Sequence, residues 1–198
     1  MKIENFKIGK RRCFVIAEIG NNHNGDFSRA INMIDLAIKM GADCVKFQMR
    51  HINQVYREKS LTRSGEDLGT EYIIDLLNRF EFSVDEHKKI SEYCKSKGIL
   101  YMCTPWDKKS IQVLESFGVK AYKVASADLT NLPLLDILSK TGKPLIISTG
   151  MSKEDEVVEV NKFLKKRNTE FAFLHCNSTY PAPFQDINLK WIKSLKKI

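Results

Sequence analysis

Six short apolar runs, Phe14–Glu18, Cys44–Gln48, Ile99–Thr104, Ala121–Ser126, Leu145–Ser148 and Phe171–His175, each finish on a polar side chain or carry one inward. Runs this short, rich in Val, Ile and Phe, read as strands buried on both faces. The stretches between them repeat apolar residues at helical spacing, so the strands are expected to run parallel. Parallel strands gather their carboxyl ends, and the polar groups on them, in one place.

Local signals bound the helices. Asp26 can cap a helix whose stripe is Ile31, Ile34 and Ile38, with Gly41 as its stop. Ser83 and Glu86 form a possible capping box for a helix running toward Gly98. Asp107 to Phe117 reads as a helix stopped by Gly118, Pro133 as the first position of a short helix ending before Gly142, and Ser152 as the cap of a helix rich in Glu and Val. A final helix is expected from Asp186 to Lys197. The polar stretch Met49 to Gly69, leading into a short helix Tyr72 to Phe80, is long for a loop in a compact domain. A flap over the strand ends and plain disorder both account for it.

Strand–helix units at spacings of roughly 22 to 30 residues point to a (β/α) barrel or an open doubly wound sheet. The open sheet calls for a Gly-rich first turn, which Glu18-Ile-Gly-Asn-Asn-His-Asn-Gly25 matches poorly. The expected fold class is therefore α/β, a (β/α)8 TIM barrel, incomplete here with about six of its eight strand–helix units. The 198 residues are expected to form one portion of such a barrel, with a sixth strand whose open edge invites association.

The formal charge of +8 invites a nucleic-acid reading. Its lysines are scattered over amphipathic helices and crowd Lys190 to Lys197 without a recognised binding motif, so solvated faces are the expectation. The five cysteines, Cys13, Cys44, Cys94, Cys103 and Cys176, lack metal spacing and are odd in number. Reduced thiols packed as small apolar residues fit that usage. No apolar stretch reaches the roughly 20 residues of a membrane span, and the amino terminus carries no secretory pattern, so a cytoplasmic location without a membrane partner is expected.

Two strand residues are lysines, Lys46 and Lys123, each among apolar neighbours. Buried ammonium groups with hydroxyls nearby suit an anion, and Thr104, Ser126 and Ser148 end the third, fourth and fifth strands. Gln48, two residues after Lys46, shares its side of the pleat and is a second donor. Glu18 faces the same opening, either shuttling a proton or pairing with a lysine. His175 lies where a metal ligand could, but His23, His51 and His87 belong to other segments, and His23 is expected to brace its own turn.

Taken in order, Ala17-Glu-Ile-Gly-Asn-Asn-His-Asn-Gly25, Val45-Lys-Phe-Gln48, Cys103-Thr-Pro-Trp106, Tyr122-Lys-Val-Ala-Ser126, Ser148-Thr-Gly-Met151 and Leu174-His-Cys-Asn-Ser-Thr-Tyr-Pro181 resemble the sialic acid synthase family, the N-acetylneuraminate synthases and their legionaminate relatives. The resemblance implies a transferase that condenses phosphoenolpyruvate with an N-acylated amino sugar, such as N-acetylmannosamine or a diacetamido hexose, to a nine-carbon 2-keto acid with release of phosphate. It implies that Lys46 and Lys123, with Gln48, Thr104, Ser126 and Ser148, hold phosphoenolpyruvate, and that Glu18 and Tyr180 contact the sugar. Asp128 and Ser178 match substrate-contacting positions, where many relatives carry glutamate and some carry asparagine.

The resemblance further implies a homodimer and a divalent cation, Mn or Mg, held by two histidines from strands beyond residue 198. It also implies a small carboxyl-terminal domain resembling type III antifreeze protein. Alone, this chain is expected to be inactive, with donor binding far less damaged than turnover. A barrel synthase with a sugar-phosphate acceptor is the alternative enzyme; it would draw on Arg50, Arg57 and Arg63 for the second phosphate. A non-catalytic binding or assembly fragment is the alternative outside enzymology.

Overall fold

The computed structural model describes residues 1–9, 12–56 and 70–198. Contacts divide the chain into two units, Arg12–Val119 and Met1–Arg11 with Lys120–Ile198.

The amino-terminal hairpin, β1 (Lys2–Ile3) against β2 (Phe6–Lys7), is antiparallel and buries Ile3 in the second of these units. Two-residue strands carry no periodicity, and the sequence pattern does not reveal them.

In the Arg12–Val119 unit, β3 (Ile16–Gly20), β4 (Cys44–Met49) and β5 (Leu100–Pro105) pair in parallel. Helices α1 (Phe27–Lys39), α2 (Ile52–Val55), α3 (Thr70–Phe80), α4 (Val84–Lys97) and α5 (Lys108–Phe117) connect or follow them. The central strand is nearly all buried, as a strand covered on both faces should be: Cys44, Val45 and Phe47 are inaccessible. Asp26 caps α1 by accepting the Arg29 N–H at 3.0 Å. The helix buries Ala30, Ile34 and Ala37, so Ile34 lies on the buried stripe as expected, while Ile31 and Ile38 sit on its shoulder, one position past Ala30 and Ala37. The Ser83–Glu86 capping box forms as expected, and α4 ends on Gly98 at φ +73°.

The first strand lies two residues later than the apolar run suggests. Asp43 takes the Val15 N–H on its carboxylate at 2.8 Å, which holds Val15 to the turn before β4 and leaves it half exposed. The strand instead extends through Ile19 to Gly20, where a register shift and φ +53° bend it. The segment proposed as a flap begins with the single turn α2; residues 57–69 lie outside the described residues.

In the other unit, β6 (Tyr122–Val124), β7 (Leu145–Ser148) and β8 (Phe171–Leu174) are again parallel. They alternate with α6 (Leu132–Ser139) and α7 (Glu154–Lys165). Asn131 caps α6 through the Leu134 N–H. The start of α7 falls past Ser152, because the Glu156 carboxylate closes on the Lys153 N–H at 2.7 Å and makes Lys153 the cap. The expected last helix is broken. A single 3-10 turn, Phe184–Asp186, precedes Asn188 at φ +44°, and only α8 (Trp191–Leu195) is helical beyond it.

Candidate active site

Lys46 sits mid-strand on β4, 5% exposed. Its Nζ lies 2.8 Å from Glu18 Oε2 and donates to Thr104 Oγ1 at 3.0 Å and to the Phe47 carbonyl at 3.4 Å. The three protons of the ammonium thus have three acceptors. The sheet register makes this possible: Glu18 is the β3 partner of Lys46, and Thr104 is the β5 partner of Gln48. An incoming anion would meet a cation already neutralised by a carboxylate. It can be held only by displacing or rearranging Glu18, whose side chain is half exposed and free to swing.

Gln48 follows on the same side of β4. Its Oε1 accepts from Arg50 Nη2 and, at 3.3 Å, from Trp106 Nε1. Arg50 is 7% exposed; its Nε lies 3.4 Å from Glu81 Oε2, and its guanidinium stands 5.1 Å over the Trp106 ring. Burial pulls its pKa down while Glu81 opposes. Arg50 is therefore not an open cation awaiting a second phosphate, and Arg57 and Arg63 lie outside the described residues.

In the second unit Lys123 is 9% exposed on β6 and donates to Ser148 Oγ at 2.5 Å and to the Val124 carbonyl at 2.7 Å. The Cys176 thiol also reaches Ser148 Oγ, at 3.2 Å. Ser126 opens a 3-10 turn, Ser126–Asp128, rather than ending the strand, and its Oγ accepts the Gly150 N–H at 3.2 Å. Ser178 Oγ donates to the Gly150 carbonyl at 2.7 Å. A Cβ on Gly150 would stand 3.1 Å from Cys176 Cβ, Cys176 O and Ser178 Oγ alike, so the glycine lets the loops after β7 and β8 close on each other. Beside them a cleft of about 620 Å³ is lined by Thr149, Gly150, His175, Cys176, Asn177 and Ser178 among others.

Two residues named from the sequence stand apart from these contacts. Asp128 accepts from Asn131 Nδ2 at 3.0 Å through one oxygen, while the other is buried without a hydrogen-bond partner among the described residues. Burial raises its pKa, and the Asn131 bond only partly offsets this. Tyr180 is 91% exposed, ahead of a cis bond to Pro181.

His23 braces its turn, accepting the Gly25 N–H at 3.1 Å on Nδ1 while stacking on Phe82 at 3.9 Å. His175 donates from Nε2 to the Ile187 carbonyl at 2.6 Å. No group of three or more His, Cys, Asp or Glu able to hold a metal occurs among the described residues. Cys44, Cys94 and Cys103 are buried, with thiols pushed upward by that burial, the latter two to about 12. Cys13 departs from the expected packing and is exposed. No helix among the described residues is long and apolar enough to cross a membrane.

Sequence reasoning missed the clamp on Gln48 and the Cys176–Ser148 contact. Trp106 closes a motif already singled out, and an indole N–H there had to find an acceptor. Glu81, 31 residues from Arg50, left no comparable signal.

Comparison with known proteins places these features. The NeuB family profile matches residues 33–198. Human N-acetylneuraminate-9-phosphate synthase is 36% identical over 193 residues, covering 96% of this chain and 54% of that protein. The N,N'-diacetyllegionaminic acid synthase of Campylobacter jejuni is 34% identical, covering 94% and 58%. Among solved structures, the N-acetylneuraminic acid synthetase of Leptospira borgpetersenii, crystallised with citrate, matches at a TM-score of 0.87 and 34% identity, over 100% of this chain and 66% of that one. The fold class is thus the α/β barrel expected, with six strand–helix units present. The chain spans about half the length of the curated relatives it matches.

Proposed function

Because the chain belongs to the NeuB family, we propose that it supplies the donor-binding part of a cytoplasmic, homodimeric synthase joining phosphoenolpyruvate to an N-acylated amino sugar. In the proposed reaction C3 of the enolpyruvate adds to the aldehyde carbon, and the aldehyde oxygen takes a proton. Water adds at C2, and loss of phosphate leaves a nine-carbon 2-keto acid.

Lys46 with Thr104 and Gln48 in one unit, and Lys123 with Ser126 and Ser148 in the other, are each assigned to donor binding on the resemblance. Buried ammonium groups with fixed hydroxyl partners stabilise the donor's anionic groups, at Lys46 once Glu18 has moved aside. Glu18 is assigned to the sugar, with a proton-transfer part, because displacement from Lys46 would free its carboxylate. Ser178, Tyr180 and Asp128 are assigned to the sugar on the resemblance alone.

The observation that carries the reading is the Lys46 ammonium, buried yet paired to a carboxylate that is half exposed. A half-exposed carboxylate keeps much of its hydration and can leave the lysine for water, so the pair can open to an incoming anion. The Arg50 contacts favour a sugar acceptor without phosphate over a phosphorylated one, since one of its three candidate cations is committed to Glu81 and Gln48.

A divalent cation that polarises the aldehyde remains part of the reading. The described residues offer no cluster suited to hold it. The test has two arms, calorimetric binding of phosphoenolpyruvate to this chain and phosphate release on adding phosphoenolpyruvate, manganese and N-acetylmannosamine or a diacetamido hexose to the complete enzyme. Binding lost in both Lys46→Ala and Lys123→Ala supports the reading. Absence of binding and of release with every amino sugar removes it.

A further inference from the structure

The oxygen and nitrogen of a glutamine amide are alike in size, and their placement follows from what surrounds them. Around Gln48 the choice is forced. One side of its amide meets Arg50 Nη2 and Trp106 Nε1, a guanidinium and an indole, neither of which has an acceptor to offer. Both must face the oxygen. The Nε2 group then turns the other way, to within 3.6 Å of where a Cβ on Gly20 would stand, a point only 3.0 Å from Glu18 Oε1.

The clamp is itself held. The Arg50 guanidinium rests on the Trp106 ring and against Glu81, and the Arg50 backbone N–H donates to Glu81 Oε1 at 3.1 Å. Its charge is spent on Glu81, which leaves it no role as an anion-binding cation of its own.

We propose that Arg50 and Trp106 are positioning residues that lock the Gln48 amide with its oxygen inward, so that Gln48 turns only donor hydrogens toward the opening beside Glu18 and Lys46. Resting on the function proposed above, Gln48 then selects at its own position: a carboxylate or phosphate oxygen of the donor is accepted there, and a group that must itself donate finds its acceptor only in Glu18. Without the clamp the amide would present either face, and half of its orientations would set an oxygen against an anion.

Gln48→Glu separates positioning from packing. Its carboxylate keeps both inward bonds, so the variant should melt at or above the parent's temperature. Its outward atom becomes an anionic acceptor, and phosphoenolpyruvate affinity should fall by more than about tenfold. Trp106→Phe keeps a ring beneath Arg50 and removes one N–H; its affinity should fall by a smaller factor. Parental affinity in a folded Gln48→Glu protein overturns the proposal.

A second readout needs no ligand. In the 15N-labelled parent the Gln48 side-chain amide protons should show nuclear Overhauser contacts to Gly20 Hα that are stronger than those to the Trp106 indole proton. The reverse pattern overturns the proposal even if Gln48→Glu fails to fold. If the parent binds no phosphoenolpyruvate but shows the Gly20 contacts, the functional reading fails and the locked amide stands.

Discussion

Lys46 and Glu18 are register partners on neighbouring parallel strands, with Nζ and Oε2 2.8 Å apart, yet the lysine side chain is 6% exposed and the glutamate 52%. One partner is fixed by the interior and the other can leave. Glu18 therefore competes with any anion for the same ammonium. Removing its charge should tighten phosphoenolpyruvate binding in Glu18→Gln while slowing phosphate release. The amide in Glu18→Gln still offers an oxygen to the ammonium but leaves the buried charge without a counter-ion, so the accompanying loss of stability should be about 1–3 kcal/mol. Calorimetry on this chain and a phosphate assay on the complete enzyme carrying the same substitution read the two opposite signs, and weaker binding in Glu18→Gln would refute the competition.

Lys46→Met tests the cation from the other side. Methionine has a similar length and no charge, and Glu18 can hydrate once unpaired, so the melting temperature should hold or rise. Phosphoenolpyruvate affinity should fall about a hundredfold with the loss of a charge-assisted contact. A large drop in melting temperature would instead mark Lys46 as a structural residue.

How much of this could be read from the chain depended on the range of the interaction. Leu145–Ser148 was legible to the residue, since Pro144 before it and the Thr149-Gly150 turn after it fix both ends locally. The Ser83–Glu86 cap, three residues across, was equally plain. The candidate site residues were legible as residue types, because a lysine in an apolar strand is conspicuous. Their partners were not. Thr104 bonds Lys46 across 58 positions, brought there by the sheet register, and Glu81 meets Arg50 across 31, where the turn after α3 packs against the end of β4. Arg50 accordingly read as a free cation, when burial beside Glu81 had already assigned it.

Two glycines with nearly the same backbone angle should answer differently to alanine. Gly41 has φ +79° and open space where a Cβ would go, so Gly41→Ala should cost only the left-handed strain, about 1 kcal/mol. Gly25 has φ +76°, but its Cβ would stand 2.5 Å from the Arg79 carbonyl oxygen. That backbone cannot swing aside as a side chain can. Gly25→Ala should lose the same strain plus an overpacking term of about 1–3 kcal/mol. Chemical denaturation of the two variants in parallel checks this, and equal losses would show that the close approach is relieved without cost.

Asp128 should make the protein less stable as pH rises through the weakly acid range. Its pKa in the folded chain is raised above the usual 3.8 by burial. The folded state therefore binds its proton more tightly than the unfolded state does. The stability this gives is fully present below the unfolded value and is lost as pH rises through the folded one. Asp128→Asn carries no charge to bury and keeps an oxygen for Asn131. It should gain stability over the parent above that window and match it near pH 3. Denaturant midpoints across the range test the prediction, and a constant difference at every pH would contradict it.

His23 should act with the opposite sign. Burial, reinforced by the neighbouring His87, lowers its pKa below 6.5. The unfolded chain thus takes up its proton first, and stability falls as pH drops from about 6.5 toward the folded value, then levels off. The geometry gives the reason: Nδ1 accepts the Gly25 N–H while the ring lies flat on Phe82, and a protonated ring would lose that acceptor and bury a charge among aromatic neighbours. Titration by 13C-detected NMR should show the His23 ring changing state well below a free histidine, with the Gly25 amide shifting in step. A ring that titrates near 6.5 with no response at Gly25 would disprove the coupling.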